Sequence, residues 1–67
     1  MNNAKLIKKW HSTIIKLCQE RLGRRLTQQE EQFITSHGGF MALEMIEETV
    51  KSLTGPELEK YLNAGST

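Results

Sequence analysis

The chain has 67 residues and a mass of 7.7 kDa, with nine Lys and Arg against eight acidic residues, a net charge of +1 and a single cysteine. A domain of about 60 residues buries only about 60% of the surface that its unfolded chain exposes, so small folds are commonly reinforced by a disulfide, a structural metal or self-association. Cys18 alone excludes an intramolecular disulfide and the zinc patterns that need two or more thiolates, which leaves self-association, and an unpaired thiol points to a reducing, cytoplasmic setting.

No stretch approaches the roughly 20 apolar residues of a membrane-spanning helix, and no signal-peptide core is evident, so a single untargeted domain over 1–67 is expected. The near-zero net charge conceals a segregation. Residues 1–26 carry seven basic residues against Glu20 alone, a balance of +6, whereas 27–67 carry two lysines against seven glutamates, a balance of −5.

Gly23, Gly38-Gly39 and Gly55-Pro56 divide the chain into four segments, all read as helical: strand alternation and hairpin turns are missing. The first segment, Asn3 to Leu22, places Leu6, Ile7, Trp10, Ile14, Leu17, Cys18 and Leu22 on one arc at 100° per residue, with Ile15 at its edge. Lys5, Lys8, Lys9 and Lys16 lie opposite. A helix of this length spans about 30 Å, and Gly23 suits a left-handed stop.

The second segment opens on Thr27-Gln28-Gln29-Glu30, a capping box, offers Phe33 and Ile34 to the core and ends near His37, where Gly38-Gly39 supplies backbone freedom for a turn. From Phe40 to Leu53 the third segment sets Phe40, Leu43, Ile46, Val50 and Leu53 at spacings of three and four, while Met41 and Met45 fall on another face beside Glu44 and Glu48. The fourth begins at Thr54-Gly55-Pro56-Glu57, either as a capping box on Thr54 or with Pro56 at the first helical position, and is anchored by Leu58, Tyr61 and Leu62. Residues 63–67 read as a frayed tail. The expected architecture is an all-α bundle of three to four helices with a long amphipathic first helix.

Two surfaces stand out. Lys5, Lys8, Lys9 and Lys16, continued by Arg24 and Arg25, form a basic patch suited to phosphates or to carboxylates of a partner; the plainest reading is a solvated helix face. Met41 and Met45, with Phe40 and Trp10, form a polarizable apolar set of the kind found at protein-binding surfaces, although core filling also explains them. A helix-turn-helix reader across Gly38-Gly39 is disfavoured, because Glu44, Glu47 and Glu48 would face phosphate.

His11, Cys18 and His37 are the only candidates for metal or nucleophile chemistry. His11 and Cys18 lie two turns apart, about 10 Å by helical rise, so they do not share one ion within a helix, and neither a metal nor a cofactor is expected. Nothing resembles a nucleophile with its base and orienting group, and four short helices enclose little volume, so no enzymatic activity is expected.

The runs Glu31-Gln32-Phe33, His37-Gly38-Gly39-Phe40, Ala42-Leu43 and Glu59-Lys60-Tyr61-Leu62 together resemble the three-helix ubiquitin-associated domain with its glycine-aromatic loop. Gly38 stands where that loop carries Met, and the spacer after the loop aromatic is missing. The likeness therefore stops at small-bundle pattern and assigns no family. The expected function is a small, self-associating protein-interaction module, an adaptor, inhibitor or regulatory accessory acting by docking; the alternative is weak, sequence-tolerant nucleic-acid binding by the basic first helix.

Overall fold

The computed structural model describes residues 3–64, with side-chain surroundings from Ala4 onward. Four helices account for most of them, and no strand occurs among the described residues: α1, Asn3–Leu22; α2, Gln28–Thr35; α3, Phe40–Ser52; α4, Gly55–Leu62. The helix α1 is the central element, packed against each of the other three.

Local chemistry explains each boundary. Gly23 ends α1 at φ 71°, the only positive φ among the described residues, and its N–H reaches the Gln19 carbonyl at 2.8 Å. Thr27 and Glu30 form the capping box reciprocally, the Thr hydroxyl accepting from the Glu30 N–H and the carboxylate accepting from the Thr27 N–H at 2.8 Å. Thr54 and Glu57 repeat it on α4 while Pro56 occupies the first turn, so both expected start signals act together. That capping contact also holds the Glu57 carboxyl below its ordinary range.

The helix α2 stops at Thr35 with Ser36 as its cap, beside the expected end near His37. Gly38 and Gly39, however, do not exploit glycine's freedom. Neither has a positive φ, Gly39 sits at φ −90° and ψ 144° as the N-cap of α3, and a Cβ on either glycine would meet nothing within 4 Å.

Ile14 and Cys18 from α1, Leu26 from the connecting loop, Ile34 from α2, Leu43, Ile46 and Val50 from α3, and Leu58 and Leu62 from α4 make the core. Ile7, Trp10, Ile15, Leu17, Leu22, Phe33, Leu53 and Tyr61 pack around it. Phe33 meets Tyr61 and His37 edge-on, at 5.3 and 5.2 Å between centroids. Leu6, expected on the buried arc, is instead 53% exposed. The reason is register: α1 and α3 run side by side in the same direction, Trp10 stacking on Phe40 and Arg21 reaching the Lys51 and Leu53 carbonyls. Phe40 is the first residue of α3, so Leu6, one turn before Trp10 on the side facing α3, is left uncovered, while Ile7 of the same turn still packs on the core.

Asn63 and Ala64, expected to belong to a frayed tail, are instead held in place. Asn63 caps α4 and donates through Nδ2 to Glu30 and to the Glu59 carbonyl, both at 2.8 Å, and the Ala64 N–H reaches the Tyr61 carbonyl. Residues 65–67 lie outside the described residues.

Candidate interaction surfaces

The core stripe of α3 is Leu43, Ile46 and Val50, and a 100° step per residue puts Met41 and Met45 on the far side of the helix. The side chains follow that geometry. Met41 is 79% exposed and Met45 66%, one turn apart, with Glu44, Glu48 and Thr49 lining the same shallow depression. This removes core filling as an account of the two methionines. Phe40, expected on the core-facing stripe, is instead 44% exposed because it opens the helix, and it borders the face with its ring centroid 5.8 Å from that of Trp10.

Trp10 does not stand free. Its Nε1–H donates to Glu47 Oε1 at 3.0 Å, and the other Glu47 oxygen meets Lys51 Nζ at 3.5 Å. The indole, half-buried between α1 and α3, is a brace that supports Phe40 from behind, and its polar edge is already satisfied.

The basic patch divides in two. Lys5, Lys8, Lys9 and Lys16 are exposed, and none enters an ion pair among the described residues. Lys5, Lys8 and Lys9 border a depression with Leu6 and Ser12, so the exposed end of α1 is itself an apolar residue ringed by cations. Arg25 is exposed as well. Arg24, however, does not belong to the free patch. Its guanidinium binds Glu30 with both terminal nitrogens at 2.9 Å, reaches Glu59 at 3.3 Å and donates to the Arg25 carbonyl.

Glu30 is the centre of that arrangement and is only 1% exposed. Its carboxylate accepts from Arg24, from the Thr27 N–H and from Asn63, tying the loop after α1, the start of α2 and the end of α4 at one point. The Arg24 guanidinium, helped by the Thr27 and Asn63 donors and opposed by burial, holds the carboxyl down at about 2. The same contact raises the Arg24 value above its ordinary one. The capping-box pattern exposed the local half of this cluster in the sequence; the pairings to Asn63 and Glu59, 33 and 35 residues away in the chain, left no local signal.

The three candidates for metal or nucleophile chemistry have structural positions. His11 Nε2 donates to the His37 carbonyl at 2.6 Å and His37 Nδ1 donates to the Phe33 carbonyl at 2.7 Å, fastening the α2–α3 turn to α1. Cys18 is fully buried, and burial, with Glu30 nearby, pushes its thiol up to about 11, well away from a reactive thiolate. Among the described residues no three His, Cys, Asp or Glu side chains are grouped to hold a metal ion. Nor is any described helix long and apolar enough to cross a membrane.

Compared with known proteins, the chain matches no family model, no curated protein and no solved structure. The class of protein is therefore set by the fold alone: a small all-α bundle of four helices. Among the described residues, the acid-rimmed methionine face of α3 and the lysine face of α1 are exposed, and Lys5, Lys8, Lys9, Lys16, Glu44 and Glu48 enter no ion pair.

Proposed function

We propose that this chain is a non-enzymatic protein-docking module, an adaptor, inhibitor or regulatory accessory, that uses Met41, Met45 and Phe40 as its contact residues. One observation carries the reading: two adjacent methionines on α3 are left largely in water while the apolar residues on the opposite side of the same helix are buried. Exposed apolar groups that adjoin one another mark interaction sites, and unbranched thioether side chains adapt to a partner's shape. Glu44 and Glu48 border the depression, so the partner that fits is a basic amphipathic helix, its apolar stripe on the methionines and its cations on the glutamates. Trp10 takes a supporting part, holding Phe40 in place. The unpaired, buried Cys18 suits a reducing compartment, and the proposed setting is cytoplasmic.

The test is fluorescence anisotropy with two labelled synthetic helices, one of Leu and Lys and one of Leu and Glu, against the wild-type chain and a Met41→Glu/Met45→Glu variant. The Leu/Lys helix should bind, the Leu/Glu helix should not, and the double variant should weaken binding at least about tenfold, since burying one Met is worth about 1.5–3 kcal/mol. Equal binding of the two peptides, or no effect of the double substitution, overturns the reading.

A second reading rests on the absence of ion pairs at Lys5, Lys8, Lys9 and Lys16 among the described residues. These side chains would bind nucleic acid through phosphates without reading bases, with affinity falling steeply as salt rises. The loss of Arg24 to Glu30 reduces the charge available for it. Absence of oligonucleotide binding at low salt removes this alternative.

A further inference from the structure

The proposed partner chemistry, a basic helix with an apolar stripe, is present on this chain itself. At the exposed end of α1, Leu6 is 53% exposed in a depression bordered by Lys5, Lys8, Lys9 and Ser12, and none of these lysines is in an ion pair among the described residues. On α3, Met41 and Met45 share a depression with Glu44 and Glu48, and neither glutamate is in an ion pair among the described residues.

The two surfaces are complementary in charge and in spacing. Lys5 and Lys9 are four residues apart on α1, and Glu44 and Glu48 are four apart on α3, so each pair is separated by about 6 Å along its helix. An i,i+4 pair of cations therefore has an i,i+4 pair of carboxylates to meet, with Leu6 available to the methionines. Within one chain this pairing does not form. The helices α1 and α3 run in the same direction with Trp10, Phe40 and Glu47 between them, and no ion pair among the described residues joins Lys5 or Lys9 to Glu44 or Glu48.

We infer that the occupant of the methionine face is a second copy of this chain, the exposed end of α1 in one protomer lying on α3 of the other and the contact repeating in reverse. This rests on the docking reading and names its partner. A two-fold pairing lets each protomer supply one basic and one acidic stripe, so Lys5 and Lys9 of each copy meet Glu44 and Glu48 of the other in two attractive contacts. It also covers Leu6, Met41 and Met45, the most exposed large apolar side chains among the described residues.

Charge exchange tests it. One variant carries Lys5→Glu and Lys9→Glu, the other Glu44→Lys and Glu48→Lys; all four positions are exposed, and circular dichroism checks that helicity is kept. Solution mass is followed by light scattering or sedimentation across a concentration series. The wild type should approach twice its monomer mass, each variant alone should dimerise at least about tenfold more weakly, and an equimolar mixture of the two should recover the dimer. A wild type that stays monomeric, or variants that dimerise like the wild type, overturns the inference. If in the same preparation the Leu/Lys helix still binds and the methionine substitutions still abolish it, the docking reading stands and only the second copy fails. If that peptide fails as well, both fall.

Discussion

Glu30→Gln is the substitution from which most can be learned about what holds this bundle together. It keeps the length of the side chain and an oxygen able to accept from the Thr27 N–H, but it removes the charge that Arg24 grips and turns one acceptor into a donor facing Asn63. The folded carboxyl sits at about 2 against an ordinary 4.5. At about 1.4 kcal/mol per pH unit, that difference sets a ceiling of about 3 kcal/mol on the stability contributed by the ionised group. Arg24 is 37% exposed, and solvent screening of its charge lowers the expectation to about 2 kcal/mol.

The sign follows from the direction. Because the folded value is depressed, the contribution is fully present above the unfolded value of 4.5 and is lost as pH falls toward 2. Urea unfolding followed by far-ultraviolet dichroism should place the variant's midpoint about 2 M below the wild type's near pH 7, given a slope of about 1 kcal/mol/M for a chain this small. The two midpoints should converge below about pH 3. Midpoints that coincide near neutrality, or that stay equally separated in acid, would refute the assignment of Glu30 as a charged hub.

Four further outcomes follow from the geometry. Gly39→Ser should stabilise the fold by about 0.5–1 kcal/mol, because the N-cap of α3 has extended angles, space for a Cβ and no side-chain acceptor at present; Gly23→Ala, at φ 71°, should cost about 1–2 kcal/mol, and paired thermal melts measure both. Cys18 should resist a thiol reagent such as Ellman's in the native protein and react at once in denaturant; rapid labelling of the folded chain would contradict its burial. Trp10→Phe keeps an aromatic against Phe40 but removes the donor to Glu47, and should destabilise by about 1 kcal/mol in the same urea assay.

The helices were legible in the sequence because their signals are local. Apolar residues at three- and four-residue spacing marked α1 and α3 to within a residue, and Thr27-Glu30 and Thr54-Glu57 marked two starts through contacts three residues apart. The displacement of Met41 and Met45 from the core stripe was legible on the same grounds. What escaped depends on partners remote in sequence. A helical wheel puts Leu6 on the apolar arc but does not say where the neighbouring helix begins, and only the Trp10–Phe40 register shows that α3 starts too late to cover it. Arg24 looked like one more cation of a surface patch because Glu59 lies far from it in sequence and Glu30 already had a capping role. Leu26, between Arg25 and Thr27, belongs to no periodic apolar stripe, yet it is buried in the core.

A backbone-amide NMR titration of the chain with the unlabelled Leu/Lys helix shows directly whether the acid-rimmed methionine face of α3 is the docking surface. Shifts and broadening that include residues 40–49 and the methyl signals of Met41 and Met45 are the predicted result, with residues 5–9 responding only as a second copy is displaced. Perturbations that fall on the lysine face of α1 and leave those methyl signals unmoved would contradict it.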